Sequence, residues 1–276
     1  MSSRYLVFTD LDGTLLDHET YDHGPASAAL AELATRGIPV IPNTSKTIDE
    51  MLVWRTRLAL DGPFIVENGS ALVLPVDHPE WHVDAATGVR DERGFHVVTF
   101  GTTIATIKAR LLELDVARRY DCDAFSQLDV AAIAAATGLD LAAATQAKAR
   151  RFSEPLRWRD DDAALARLVV ELAAAGLRAI RGGRFVHVIG DTDKGVALER
   201  TARLYASHST GGVTTIALGD SPNDAEMLNA ADISVVVRNP HASKLSLARD
   251  ASLYTTAAGP GGWQEAFDVL FRSQIK

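Results

Sequence analysis

Two apolar runs near opposite ends of the chain each stop on an aspartate: Tyr5–Thr9 runs into Asp10, and Thr214–Gly219 runs into Asp220. Continuous apolar runs of this length read as strands buried on both faces, the kind found in parallel sheets. A buried strand that ends on a carboxylate, with Asp12 following Asp10 and Asp224 following Asp220, places acid where ligands bind in open parallel sheets, at the carboxyl ends of the strands. The ends of the chain therefore have to come together in one sheet.

The text between them fits that constraint. Residues 24–37 read as a helix, with Pro25 near its start and Gly37 as its stop. Residues 38–45 form a second strand that Pro39 and Pro42 weaken. Residues 47–60 are helical, with Thr47 as N-cap and Glu50 three positions on. Residues 63–69, "PFIVENG", give a third strand. Alternating strands and helices predict a parallel sheet with helices on its faces.

From residue 82 to 187 the chain turns Ala- and Arg-rich. It carries helices at 102–114 and 162–176, weaker helical stretches at 130–138 and 142–152, and strands at 95–101, 150–158 and 176–190. This reads as an α+β unit inserted between residues 1–81 and 188–276, which together make the core. Strands at 214–220, 231–239 and 251–256 and helices at 224–231 and 262–271 complete it.

The 276 residues are 47% hydrophobic and 23% charged, enough for a sizeable core and not a disordered chain. A net charge of −8 argues against a nucleic-acid surface. Cys122 stands alone, so it closes no internal disulfide and belongs to no zinc cluster. The N-terminal apolar run is too short for a signal peptide, and no run approaches a membrane span. A reducing cytoplasm is the simplest home, and the charge leaves room for an anionic small-molecule substrate rather than nucleic acid or a membrane.

The polar residues just past the strand ends are Asp10 and Asp12, then Thr44, Ser45 and Lys46, then Glu67 and Asn68, then Asp220 and Asp224; Asp193, Lys194 and Gly195 open a helix. Several carboxylates suit a hard, oxygen-loving cation such as Mg2+. A hydroxyl, a lysine and the N–H groups of a sharp turn suit a phosphoryl group. Together they would let a carboxylate attack phosphorus, with Asp10 as nucleophile and Asp12 handling protons. Each motif alone is equally a turn or a helix cap. All four in this order favour the chemistry.

"DLDGTLLD" at 10–17, "NTSKT" at 43–47, "DTDKG" at 191–195 and "GDSPND" at 219–224 resemble the four motifs of the haloacid dehalogenase-like (HAD) phosphohydrolases. The resemblance implies a Rossmann-like parallel-sheet core with an inserted C2B-type cap. It implies Asp10 as nucleophile and Mg2+ ligand, Asp12 as acid and base with its carbonyl on the metal, and Thr44 on the phosphoryl group. Lys194 would hold Asp10 and phosphate together, Asp220 and Asp224 would ligate the metal, and Asn223 would lie near the phosphate. "PFIVENGSAL" at 63–72, "TGLDLAAATQAKARRFSEP" at 137–155 and "GRFVHVIGDTDKG" at 183–195 are similar to the mannosyl-3-phosphoglycerate phosphatase family. That similarity implies hydrolysis of a phosphorylated glycoside to mannosylglycerate, a compatible solute.

Such a substrate needs a cation for its carboxylate, for which Arg150, Arg151 and Arg184 are candidates. It needs polar groups for its hydroxyls, for which Ser153, Glu154, Glu67 and Asn68 are candidates; Ser45 and Lys46 could serve either part. His187, in an alternating strand pattern, reads as structural. The rivals are another sugar phosphate on the same machinery (glucosyl-3-phosphoglycerate, sucrose phosphate or a hexose phosphate), a phosphomannomutase, and a non-catalytic binding protein. The intact set of Asp10, Asp12, Lys194 and Asp220 argues against the last.

Overall fold

The computed structural model describes residues 4–76, 78, 81, 89–91, 93–182, 185–206, 212–241 and 245–272. The strands in chain order are β1 (Arg4–Thr9), β2 (Val40–Pro42), β3 (Phe64–Val66), β4 (Ala71–Pro75), β5 (Val89–Asp91), β6 (Phe95–Thr99), β7 (Cys122–Ala124), β8 (Ser153–Trp158), β9 (Leu177–Arg181), β10 (Val186–Gly190), β11 (Val213–Gly219), β12 (Ile233–Arg238) and β13 (Leu253–Ala258). The helices are α1 (Ser27–Thr35), α2 (Ile48–Arg57), α3 (Ile104–Glu113), α4 (Val116–Arg119), α5 (Val130–Thr137), α6 (Leu141–Lys148), α7 (Asp162–Ala174), α8 (Lys194–Ala206), α9 (Ala225–Ala230) and α10 (Gly259–Phe267).

The ends of the chain meet as expected. A five-stranded sheet runs β13-β12-β11-β1-β2, with every pairing parallel. β1 lies between β11 and β2, so Asp10, Asp220 and Thr44 emerge along one sheet edge. Alternate residues of β1 feed two apolar layers. Val7 packs in the layer that holds Leu33, Met51 and Trp263, and Leu6 and Phe8 in the one that holds Leu198 and Met227. α2 opens on the expected capping box, in which the Thr47 hydroxyl accepts the Glu50 N–H and the Glu50 carboxylate accepts the Thr47 N–H.

A second sheet, β7-β8-β10-β9, belongs to the middle of the chain and is antiparallel throughout. α3 and α7 cover one of its faces, burying Ile107, Leu168 and Leu172 against Leu156, Val186 and Val188. α5 and α6 bury Ile133, Ala144 and Ala147 in a small cluster of their own. No single helix among the described residues is long and apolar enough to cross a membrane.

"PFIVENG" departs from the expected parallel order. β3 meets the end of β2 at an isolated parallel bridge, Asn43–Ile65, then pairs antiparallel with β4. The cause is the turn that follows it. Glu67, Asn68 and Gly69 all take left-handed backbone, at φ +51°, +60° and +87°, and send the chain straight back. β4 pairs in turn with β6, and β6 with β5, in the order β3-β4-β6-β5. This sheet therefore joins strands on both sides of residue 82. β10 carries the middle sheet on to Gly190.

Gly69 has two reasons to be glycine. Its φ is left-handed, and a Cβ there would stand 2.2 Å from the carbonyl oxygen of Asp193, next to Lys194. Gly94 shares the backbone conformation (φ +84°) but has nothing within 4 Å. Urea melts of the two alanine variants separate these causes: Gly94→Ala is expected to cost about 1 kcal/mol and Gly69→Ala roughly 2 kcal/mol or more. Equal costs would show that the close approach to Asp193 is not a constraint.

Candidate active site

Three carboxylates converge at the end of the parallel sheet. Asp10 follows β1, Asp220 follows β11, and Asp224 closes the turn after it. One oxygen from each lies within 4.8 Å of the others, and all three residues are buried. Lys194, the first residue of α8 and fully buried, donates to Asp10 Oδ1 and to Asp224 Oδ1, each at 2.6 Å. Burial alone would lower its pKa, but Asp10 and Asp224 outweigh burial and raise it. Asp10 moves upward too, because burial and the surrounding acids outweigh Lys194. Burial, reinforced by Asp224, pushes Asp220 up to about 6.

One ammonium beside three carboxylates leaves the cluster short of positive charge. An all-oxygen donor set with excess negative charge fits a hard divalent cation, and nothing in it favours a soft one. Asp220 is aimed by its neighbours: the Thr14 hydroxyl donates to Oδ1 and the Asn239 amide to Oδ2, both at 2.6 Å. Gly13 makes room for them, since a Cβ there would stand 2.8 Å from Asp220 Oδ2. Asp224 is held by the backbone N–H groups of Asp220 and Ser221, both at 3.1 Å.

Asp12 stands apart from this cluster. Its Oδ2 accepts from Lys46 Nζ at 2.8 Å, and its Oδ1 is buried without a hydrogen-bond partner. Burial opposes the charge on Lys46, but Asp12 and Glu50 overcome it and raise its pKa. Its ammonium also sits 5.2 Å from the centre of the Tyr21 ring, a cation–π contact. Thr44 is fully buried, and its hydroxyl accepts the N–H of Lys46 at 3.3 Å.

A cleft of about 780 Å³ lies over these residues. Its floor includes Asp10, Asp12, Ser45, Asn68, Asp220 and Asn223, with Asn223 donating to Asn68 Oδ1 at 3.3 Å. Its roof comes from β9 and β10 and includes Ile180, Gly182 and His187. The site residues expected from the core motifs are thus brought together.

Several expected to read the substrate's carboxylate and hydroxyls are not. Glu67 is fully buried, and its carboxylate accepts the N–H groups of Arg151 (2.9 Å) and Phe152 (3.1 Å) and the Ser153 hydroxyl (2.6 Å). Arg150 lies 3.9 Å from it and also donates to Ser153 Oγ and to the Ser45 carbonyl. A buried carboxylate has to be paired, and these groups satisfy it. Burial still holds Glu67 above its usual range, with Arg150 the chief opposing influence. Glu67 and Ser153, expected to read hydroxyls, are therefore occupied with each other. Arg151 pairs with Asp91 at 2.8 Å. Glu154, one residue on along β8, turns to the other face, accepts the Ser126 N–H and lines a separate pocket of about 390 Å³. Arg184 lies outside the described residues.

Sequence reasoning missed Asn239 and Thr14. Asn239 follows β12, so the strand-end rule that selected Asp10 and Asp220 also points to it. His187, expected to be structural, lines the cleft. No local sequence signal marks Arg150–Ser153 as the partner of Glu67; only the fold brings them together.

The sequence profile of the haloacid dehalogenase-like hydrolases matches residues 7–91 and 182–259. A glucosyl-3-phosphoglycerate/mannosyl-3-phosphoglycerate phosphatase of Methanococcoides burtonii is 37% identical over 264 residues, covering 95% of this chain and 96% of its own. Among solved structures, a HAD phosphatase of Bacteroides thetaiotaomicron superposes with a TM-score of 0.66 at 21% identity, covering 97% of this chain and 96% of its own. The HAD subclass IIB sugar phosphatase BT4131 superposes with a TM-score of 0.62 at 14% identity, covering 99% and 100%.

Divalent cation binding is expected to stabilise the protein by about 2.7 kcal/mol at a hundred times Kd, read as a rise in Tm on adding MgCl2. Protons compete for Asp220, whose pKa stands at about 6. The carboxylate is thus free above that pH and protonated below it, so the rise should be larger at pH 7.5 than at pH 5. Asp220→Asn should abolish it. A rise that is unchanged in this variant would place the cation elsewhere.

Proposed function

This chain belongs to the haloacid dehalogenase-like hydrolases, and we propose that it hydrolyses mannosyl-3-phosphoglycerate to mannosylglycerate and phosphate, with glucosyl-3-phosphoglycerate as the second substrate to test. The observation that carries the chemistry is Lys194, buried between Asp10 and Asp224 at the strand ends. The substrate rests on the likeness to the Methanococcoides burtonii enzyme, which extends through the cap as well as the core.

Asp10 is the nucleophile. One of its oxygens attacks phosphorus in line; the new P–O bond forms as the bond to the glycerate oxygen breaks. Asp12 donates its proton to that departing oxygen. Water then attacks the aspartyl-phosphate, Asp12 takes the water's proton, and cleavage of the P–O bond to Asp10 releases phosphate and restores both acids. Lys194 and Thr44 hold the phosphoryl group, and Asn68 and Asn223 present amides from the cleft floor. Lys46 keeps Asp12 at the cleft wall between steps. Asp10, Asp220, Asp224 and the Asp12 carbonyl would hold Mg2+, which when bound neutralises phosphate and Asp10 charge that would otherwise repel.

Phosphate release should be measured on a panel of mannosyl-3-phosphoglycerate, glucosyl-3-phosphoglycerate, 3-phosphoglycerate and hexose phosphates, with and without Mg2+. The expected result is Mg2+-dependent release from the glycosyl compounds, with the simple phosphates poor. Release from hexose phosphates alone would discard the substrate and keep the chemistry. Asp10→Asn should abolish turnover, and Asp12→Ala should lower it by about 10²- to 10⁴-fold. Wild-type rates in Asp10→Asn would overturn the mechanism.

A further inference from the structure

The cleft floor is committed to phosphate and cation, so whatever else a substrate carries must lie against the roof. Among the described residues, β9 and β10 supply Ile180, Arg181 and His187 there, with Gly182 just past β9; Arg181 is exposed and paired with Asp162 at 2.6 Å. Ile180 offers no polar group and Gly182 no side chain. His187 sits on the middle of three strands, opposite Pro155 on one side and Ile180 on the other. Its neighbours Val186 and Val188 point the other way, into the core beneath α3 and α7, so alternation along β10 commits the imidazole to the cleft face.

The ring is not satisfied by the protein. Its Nδ1 is shielded from solvent and has no hydrogen-bond partner. A buried polar nitrogen left unpaired is costly, and most such atoms in folded proteins find a partner. Room for the ring comes from Gly182, where a Cβ would stand 3.2 Å from Nε2. Burial, with Arg150 and Lys194 adding to it, pushes the imidazole pKa down to about 3. The ring is therefore neutral at any working pH, with one nitrogen that donates and one that accepts.

Resting on the functional reading above, we propose that His187 is a specificity-determining residue, whose cleft-facing imidazole hydrogen-bonds a hydroxyl of the substrate's sugar. A neutral imidazole suits this task. It engages a hydroxyl as donor or acceptor and adds no charge that would draw a second phosphate into the roof. A site built to pair with a hydroxyl also discriminates against substrates that lack it, because its own polar atom is then stranded.

The test compares kcat/KM for mannosyl-3-phosphoglycerate with kcat/KM for p-nitrophenyl phosphate, which has no sugar. Wild type, His187→Leu and His187→Asn are measured side by side. His187→Leu is expected to lower the ratio about tenfold to a hundredfold, chiefly through KM, with p-nitrophenyl phosphate hydrolysis near wild type. His187→Asn keeps a polar amide on the cleft face and should recover part of the loss. A ratio unchanged in His187→Leu, or an equal fall on both substrates, overturns the assignment while the functional reading stands. If wild type releases phosphate from neither glycosyl-3-phosphoglycerate, the functional reading falls and this inference with it.

Discussion

The ion pairs of Lys194 organise the site. Its ammonium is fully buried and bonds to one carboxylate from each end of the chain, Asp10 after β1 and Asp224 after β11. A buried ammonium is tolerated only where acids surround it, and buried acids only where cations do. The three groups therefore require one another, and the parallel pairing of β1 with β11 brings two of them into place. The third arrives from the cap, because α8 begins just after its last strand. Any change that moved the cap's exit would withdraw the lysine from Asp10.

A second buried acid ties the cap down from the other side. Glu67 leaves β3 in left-handed backbone and reaches the segment that enters β8, where two backbone N–H groups and a hydroxyl receive it. Thr47 and Ser45 add bonds to Gln146 and Arg150 in the same segment. The loop that carries Thr44 is thus bound directly to the cap. Glu67 is fully buried among these donors, so separating the two parts would break three of its hydrogen bonds at once. The residues that could have read substrate hydroxyls are used instead to fix where the cleft roof stands.

The limits of sequence legibility follow from the same residues. Asp10, Thr44, Lys194 and Asp220 could be placed because each directly follows an apolar run or opens a helix, and period and punctuation are local signals. The capping box at Thr47 and Glu50 was legible for the same reason. The antiparallel return of β3 into β4 was not, although "ENG" carried the turn, because an apolar run does not state which neighbour it will pair with. Glu67 was assigned to substrate because it follows an apolar run. Its partners lie far along the chain at Arg151–Ser153, and no local pattern links them. Glu154 was misjudged by one residue of strand alternation, which sends Ser153 to Glu67 and Glu154 to the pocket behind the sheet.

That division has a physical basis. Chemistry on a phosphoryl group needs charges held rigidly at known separations, and strand ends and helix starts supply such points, so the catalytic residues sit in short, recognisable motifs. Substrate choice needs only a surface of the right shape facing those charges. Here that surface is one face of an antiparallel sheet, where Ile180 and His187 meet across a pair of strands. Each is unremarkable in its own strand, and what makes them a reading surface is their register and the cleft beneath them. A cap sheet can change such residues without disturbing its far side, because Val186 and Val188 hold it to the helices whatever faces the cleft. The core motifs therefore fix what is done to the substrate, and the register of β9 and β10 fixes which groups meet the rest of it.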